Sequence, residues 1–312
     1  MNRRNFISKS MVALTACGYS GLIPAIAAKS TQPGVATAEA LAKDSKKNNR
    51  IGIQLYSVRE ELPKDFKGTL KKLADVGSKM GYKFAEAYGY DGKFIGKTLK
   101  ETSEALSEVG MKLSGTHCGS GLLPADVKAS EWDYWRKGAD EMKEAGGRHL
   151  VQSWLPAKNL DELKQLTEQF NKIGTICKQG GVKFGYHNHH AEMKEMDGHV
   201  ILDFLVKNTD PELVFFQMDL GHTLNGGGDI LGYMSKYPHR FLSWHASDFK
   251  REQGYCEVGQ GDVPYEKLLE IAESYGLEDL TVEQETGGDI FASCRNDFNY
   301  LIKFDWTWKK KS

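Results

Sequence analysis

Positive charge is not in surplus in this sequence: 41 Lys and Arg stand against 42 Asp and Glu over 312 residues, a formal charge of −1. Such a balance excludes a strongly basic nucleic-acid binder, which would need cations to neutralise phosphates. Long apolar runs are missing too. Beyond the N-terminal segment no stretch reaches the roughly 20 apolar residues that a membrane-crossing helix needs, which excludes a multi-span membrane protein. Cysteine is sparse, and Cys118, Cys177, Cys256 and Cys294 are scattered without a CxxC pair. Neither a zinc knuckle nor a dense disulfide framework is signalled, although one long-range disulfide is compatible with the count. Phosphate loops are absent as well: no GxGxxG turn follows the first apolar run, and GxxxxGK[ST] occurs nowhere.

What is present begins with a leader. Arg3-Arg4-Asn5-Phe6 precedes a weakly apolar stretch from Met11 to Ala28 that carries no acid. Paired arginines, an apolar run and small residues together read as a twin-arginine-type export signal over residues 1–28. Cleavage would follow Ala25-Ile26-Ala27, but Leu14-Thr15-Ala16-Cys17 also resembles a lipobox, in which Cys17 would carry a lipid anchor. An ordinary amphipathic helix is the plainer alternative. Export predicts a periplasmic protein or one anchored at the cell envelope. Loss of the leader removes Arg3, Arg4 and Lys9, leaving 38 basic and 42 acidic residues, net −4. Residues 29–50, ending in Lys46-Lys47-Asn48-Asn49-Arg50, are small and polar without periodicity and read as a flexible linker. Residues 307–312 form a basic C-terminal tail.

From Ile51 onward, short β-rich runs alternate with longer stretches of helical spacing. The predicted strands are Ile51 to Tyr56, Lys83 to Glu86, Lys112 to His117, His149 to Val151, Val182 to Tyr186, Leu213 to Met218, Leu242 to His245 and Leu280 to Glu283. Helical spacing covers Phe66 to Val76, Thr98 to Val109, Tyr134 to Ala145, Leu160 to Gln179, His199 to Val206, Ile230 to Tyr237, Tyr265 to Ser274 and Asn296 to Phe304. Eight alternations predict a single (β/α)8 TIM barrel over residues 51–306. A doubly wound open sheet shares the alternation but lacks its glycine fingerprint here.

Each apolar run ends in a residue capable of chemistry: Tyr56, Glu86, His117, Gln152, His187, Asp219, His245 and Glu283. Barrel active sites are built at the C-terminal ends of strands, so these side chains are expected to converge on one mouth. Taken singly, each could be a satisfied polar residue or a cap for the next helix; the joint placement carries the functional reading. Tyr186-His187-Asn188-His189-His190-Ala191-Glu192 runs a strand into three imidazoles and an acid, with His187 and His189 on one face. Asp219 ends its strand with His222 three positions later, and Glu283 and Glu285 point the same way. His187, Asp219, His245 and Glu283 would make a site of two imidazoles and two carboxylates. That donor set suits one divalent Mn, Co, Zn, Fe or Ni ion better than Ca, with positions open to substrate oxygens.

From about Ile51 to Trp306 the sequence resembles the sugar isomerase and epimerase proteins of the xylose-isomerase-like barrel superfamily. The resemblance rests on Gly52-Ile53-Gln54-Leu55-Tyr56-Ser57, Glu86-Ala87-Tyr88-Gly89, Gly115-Thr116-His117, Tyr186-His187-Asn188-His189, Met218-Asp219-Leu220-Gly221-His222, Trp244-His245-Ala246-Ser247-Asp248 and Val282-Glu283-Gln284, in that order. In keto-sugar epimerases of that family a Glu, an Asp, a His and a Glu on strands five to eight hold the metal. The resemblance implies that Asp219, His245 and Glu283 match the last three, and that His222 and Arg251 contact substrate. At strand five the family's Glu is replaced by His187, with Glu192 the only nearby acid and an alternative ligand. Epimerisation wants a carboxylate on each face of a planar enediolate, so an imidazole on one side favours one-way proton abstraction. Glu283, His187, His189 and Glu192 are the candidates for catalysis; His222, Arg251, Glu86, His117 and Glu285 are those for substrate contact.

The expected chemistry is proton removal beside a sugar carbonyl, with isomerisation, epimerisation or β-elimination as outcome. Export and the missing phosphate loop point to a neutral sugar or glycoside. Among related proteins, lyases that expel the aglycone of 3-keto-glycosides are the alternative. Trp132, Trp135 and Trp154, predicted on loops near the mouth, could stack on a sugar ring or aglycone, or simply pack. A branch of the superfamily that repairs DNA with three metals conflicts with the acidic mature charge. A non-catalytic exported sugar-binding barrel would need no metal, and it gives no reason for gathering acids and imidazoles in one pocket.

Overall fold

A computed structural model describes residues 50–77, 81–119 and 128–304. The expected signal, most of the linker and the C-terminal tail lie outside the described residues. Eight parallel strands close into a barrel: β1 Ile51–Gln54, β2 Phe84–Tyr90, β3 Lys112–Cys118, β4 His149–Gln152, β5 Lys183–His187, β6 Val214–Asp219, β7 Ser243–Ala246 and β8 Asp279–Val282. They follow one another around the ring, and β8 returns to pair with β1. Helices α1 Phe66–Ala74, α2 Leu99–Glu108, α3 Ala129–Glu144, α4 Leu160–Gly180, α5 Ile201–Lys207, α6 Leu220–Asn225, α7 Ile230–Lys236, α8 Tyr265–Ile271 and α9 Ile290–Leu301 occupy the connections. The predicted (β/α)8 barrel is the observed fold.

Both faces of the strands are covered, which is why they read as nearly unbroken apolar runs. In α4, Leu163, Leu166, Phe170, Ile173 and Cys177 are all buried, a stripe at spacings of three and four laid on the sheet. Inside the ring, glycine admits large side chains from the neighbouring strand. A Cβ on Gly52 would stand 2.0 Å from the Phe84 ring, one on Gly115 2.1 Å from His149, and one on Gly185 2.4 Å from Phe215. Glycine on β1, β3 and β5 thus makes room for an aromatic or imidazole from β2, β4 and β6, the small-against-large filling that a barrel interior requires.

Several boundaries differ from the sequence reading for identifiable reasons. The Gln54 side chain accepts the Tyr56 amide, so β1 stops there and turns into a short 3-10 helix, Leu55–Val58. Tyr56 is therefore an exposed turn residue. Strand β2 continues past Glu86 to Tyr90, while β8 ends at Val282, leaving Glu283 just beyond it. Helix α3 starts earlier than predicted, which moves two tryptophans off the mouth. Trp135 is fully buried, and Trp132 lies beneath the Lys172 ammonium at 3.7 Å. Helix α9 starts at Ile290 because Asp289 caps the amides of Phe291 and Ala292. Cys118, Cys177, Cys256 and Cys294 are all free, so the long-range disulfide is not formed.

The end of β8 is fixed by a buried acid. Asp297 of α9 is 0% exposed; its Oδ2 accepts from Gln284 Nε2 at 2.8 Å and its Oδ1 from the Val258 amide at 2.7 Å. Burial outweighs those hydrogen bonds and raises its pKa to about 7. A folded-state pKa above the unfolded value means that the folded chain holds a proton that the unfolded chain has released. Stability from this group is present below about pH 4 and declines as pH rises to about 7. Urea denaturation between pH 4 and 8 should show that decline in the wild type, and Asp297→Asn should show a smaller one.

Candidate active site

Strand register brings the chemistry to one end of the barrel. Asp219 pairs with His245 across β6 and β7, His187 with Gln217 across β5 and β6, and Gln54 with Glu86 across β1 and β2. His187, Asp219, His245 and Glu283 are 1%, 0%, 0% and 6% exposed. Each offers one ligand atom, and these four atoms lie within 4.8 Å of one another.

Two of these groups are unsatisfied. Asp219 Oδ2 and His187 Nδ1 are buried without a hydrogen-bond partner, a costly state for a polar atom and one that a bound cation would relieve. The other Asp219 oxygen is committed: Oδ1 accepts from the His222 amide at 2.6 Å and from Ser247 Oγ at 2.5 Å. It therefore caps α6 while Oδ2 remains for a ligand. His245 sits between two carboxylates, with Nδ1 2.7 Å from Glu283 Oε2 and Nε2 2.7 Å from Glu86 Oε2. Both carboxylates overcome burial and hold the ring protonated, with its pKa raised to about 10; a cation bound through Nδ1 would displace that proton while Glu86 orients the ring through Nε2. Oxygen and imidazole donors, with a buried Asp219 oxygen left unpartnered among them, fit one divalent metal ion.

Glu86 is the hub below this set. It is 0% exposed and receives Gln54 Nε2 at 2.9 Å, His149 Nε2 at 2.8 Å and Gln217 Nε2 at 3.0 Å, in addition to His245. Burial alone would raise its pKa, but His117, His149 and His245 hold it well below the usual carboxylate range. Both of its oxygens, expected at the substrate, accept from barrel side chains. His117, expected at the substrate as well, is 7% exposed with Nε2 2.7 Å from Gln217 Oε1, and its ring stacks on His245 at 5.3 Å.

Nearer the mouth stand two imidazoles of opposite character, His189 and His222, with centroids 4.8 Å apart. Burial, then His222, lowers the His189 pKa to about 4. His222 resists its own burial because Asp219 and Glu285 raise its pKa to about 9. Its Nε2 lies 3.1 Å from Glu285 Oε1, and its Nδ1 is bonded to the Tyr255 hydroxyl. Neighbouring groups with pKa values pushed apart are the signature of an acid and a base.

Two further candidates stand apart from this cluster. Glu192 accepts the Tyr186 hydroxyl at 2.5 Å and the His189 amide at 3.0 Å. Alternation along β5 turns Tyr186 away from His187, and Glu192 follows it, which leaves it outside the four-residue cluster. Arg251 is exposed in the turn of the hairpin over 248–256, its amide donating to Asp262 at 3.0 Å. The hairpin reaches the site through Tyr255 instead. Sequence reasoning also missed Gln217, Gln54 and His149. Gln217 had a signal, standing two residues before Asp219 on the same face of β6.

A family model described as the xylose isomerase-like TIM barrel matches residues 74–300. The chain belongs to that family. Xylose isomerase-like relatives include an inosose dehydratase of Clostridium perfringens, 28% identical over 164 residues, 46% of this chain and 53% of that protein. The chain spans about half the length of the curated Clostridium perfringens relatives it matches. A crystal structure of a sugar phosphate isomerase/epimerase from Parabacteroides distasonis is 28% identical, with a TM-score of 0.72 over 83% of this chain and 99% of that one. A solved L-ribulose 3-epimerase, 14% identical with a TM-score of 0.59 over 81% of this chain and 93% of its own, shares the fold. It is a family of sugar-modifying enzymes.

Proposed function

We propose that this chain is a divalent-metal-dependent carbohydrate enzyme that removes a proton beside a sugar carbonyl and expels a group from the next carbon, as a 3-keto-glycoside lyase does. The observation that carries this reading is the fate of Glu192. With that acid held by Tyr186 and the His189 amide, the β5 side of the site presents imidazoles, whereas epimerisation wants opposed carboxylates and elimination needs one base and one acid. The inosose dehydratase relatives, by their name, also eliminate.

One divalent ion on His187, Asp219, His245 and Glu283 would serve as a Lewis acid that stabilises charge on the carbonyl oxygen. His189, neutral at pH 7 with its pKa at about 4, is positioned to take the carbon's proton on a ring nitrogen. His222 holds a proton at Nδ1 against the Tyr255 hydroxyl and supplies it to the departing oxygen. Glu285 keeps His222 charged and aligned. The missing phosphate loop favours a neutral sugar or glycoside. A second reading, proton return as in an isomerase or epimerase, draws on the Parabacteroides distasonis relative. Export by residues 1–28 belongs to the proposal, and N-terminal sequencing of mature protein distinguishes cleavage after Ala27 from lipidation at Cys17.

Metal analysis of purified protein, with product screens on free sugars and 3-keto-glycosides, tests the reading. The expected result is about one transition metal per chain and release of the aglycone. His189→Ala should keep the metal and lose about 10²- to 10⁴-fold in turnover. An isomeric or epimeric product supports the second reading. A metal-free wild type that cannot be reconstituted sinks the mechanism and favours the non-catalytic sugar-binding barrel.

A further inference from the structure

Two large hydrophobic side chains are exposed among the described residues, Tyr56 at 42% and Trp154 at 66%. Scattered exposed aromatics need no explanation, but these two stand at the same end of the barrel, after β1 and β4, and share a manner of attachment. Each lies two residues beyond the last residue of a barrel strand, at the end where the acids and imidazoles gather. In each case that last residue is a fully buried glutamine that grips the backbone of the aromatic. Gln54 accepts the Tyr56 amide at 3.1 Å, and Gln152 donates to the Trp154 carbonyl at 3.0 Å. Gln54 also donates to Glu86, which binds His245, so the tether of Tyr56 joins the hydrogen-bond network of the site. Gln152 pairs with Tyr186, which places the segment carrying Trp154 beside the end of β5 and His187.

The Tyr56 ring is held rigidly. The Tyr88 ring stands perpendicular to it at 5.2 Å, and the Arg59 guanidinium lies 4.3 Å from its centroid while donating to the Tyr56 carbonyl at 3.0 Å. Pro156 stiffens the chain after Trp154. Rings held out in water on stiff supports have little conformational freedom left to lose when a ligand covers them.

We propose that Tyr56 and Trp154 form a stacking rim for a second ring carried by the substrate, so that the preferred substrate is a glycoside rather than a free monosaccharide. The inference rests on the proposed function and deepens it: the sugar being deprotonated occupies the ligand cluster, and the group attached through its departing oxygen rests on the rim. Either a pyranose or an aryl group fits, since both present a flat face to an aromatic ring.

Calorimetric binding of three non-reacting probes to the intact protein separates the cases: methyl β-glucoside, cellobiose and 4-nitrophenyl β-glucoside. A two-ring probe should bind about tenfold tighter than the methyl glycoside, and Trp154→Ala or Tyr56→Ala should erase that preference while leaving methyl glycoside affinity unchanged. Trp154→Phe should restore most of it. Preference for cellobiose assigns the rim to a sugar ring, and preference for the nitrophenyl glycoside assigns it to an aryl group. Equal affinity for all three probes in the wild type, or a preference that survives both alanine variants, overturns the proposal. Turnover of the 3-keto forms is read separately. Rim-dependent binding without turnover counts against the lyase reading and keeps the rim; turnover with rim-independent binding does the reverse.

Discussion

Asp219→Asn is expected to abolish metal uptake while leaving the metal-free barrel at least as stable as the wild type. The carboxylate does two separable jobs. Its Oδ1 caps α6 by accepting from His222 and receives Ser247, and the carbonyl oxygen of asparagine can do both. Its Oδ2 is buried without a partner, and burial raises the pKa to about 6 even though His222 pulls it down. An unpartnered buried charge destabilises the fold it sits in. Replacing it by a neutral amide removes the buried charge at the cost of its attraction to His222, and it also removes the anionic donor. Transition-metal content should fall to background, and turnover by about 10³-fold or more, in line with the loss of a Lewis acid or an electrostatic stabiliser. Thermal denaturation of chelator-treated protein should show the variant's midpoint unchanged or raised. A marked drop in that midpoint would mean that Oδ2 has a structural partner, and metal retained at wild-type level would remove Asp219 from the ligand set.

The architecture was legible because alternation between period 2 and period 3.6 is a repeated signal, and eight repetitions average out errors at element ends. Three of the four clustered residues were legible because the end of a barrel strand is a privileged place, and His187 because β5 runs straight into imidazoles. What sequence position cannot show is whether a polar side chain at such a place is already taken. Glu86 ends a predicted run as Asp219 does, yet its oxygens are filled by neighbours 32, 63, 131 and 159 residues away. Glu192 was hidden in the opposite sense, since a tyrosine pointing to the other face of β5 captures it. Gln217 lies within β6, Gln54 at the end of β1 and His149 at the start of β4, and all three look like tolerated polar residues until the ring closes. Tyr255 enters the site only through the folding back of a hairpin, which no local pattern places. The tryptophans divided for a similar reason: α3 begins five residues before its predicted start and takes in Trp132, Trp135 packs from that helix into the core, and Trp154 remains at the rim.

The same exchange of carboxylate for amide at Glu86 should have the opposite effect on stability. Glu86 has no orphaned oxygen; its two oxygens receive donors from Gln54, His149, Gln217 and His245 in a fully buried pocket. Glutamine would offer one acceptor and turn an NH2 group toward groups that are themselves donors. Leaving such donors unmatched in a dry interior costs about 3 kcal/mol or more, the magnitude associated with breaking a buried charged network. The damage should extend to the metal, because Glu86 fixes the tautomer and tilt of His245 through Nε2; loss of an orienting carboxylate of this kind lowers metal affinity by about 10- to 100-fold. Urea denaturation of the metal-free Glu86→Gln variant should therefore show a large fall in stability, and competition with a chelator should show weakened but measurable metal binding. Comparison with Asp219→Asn makes the test sharp. If Glu86→Gln were as stable as the wild type, its hydrogen bonds would be replaceable and the hub would not organise the site. If it abolished metal binding altogether, Glu86 would belong among the ligands and not beneath them.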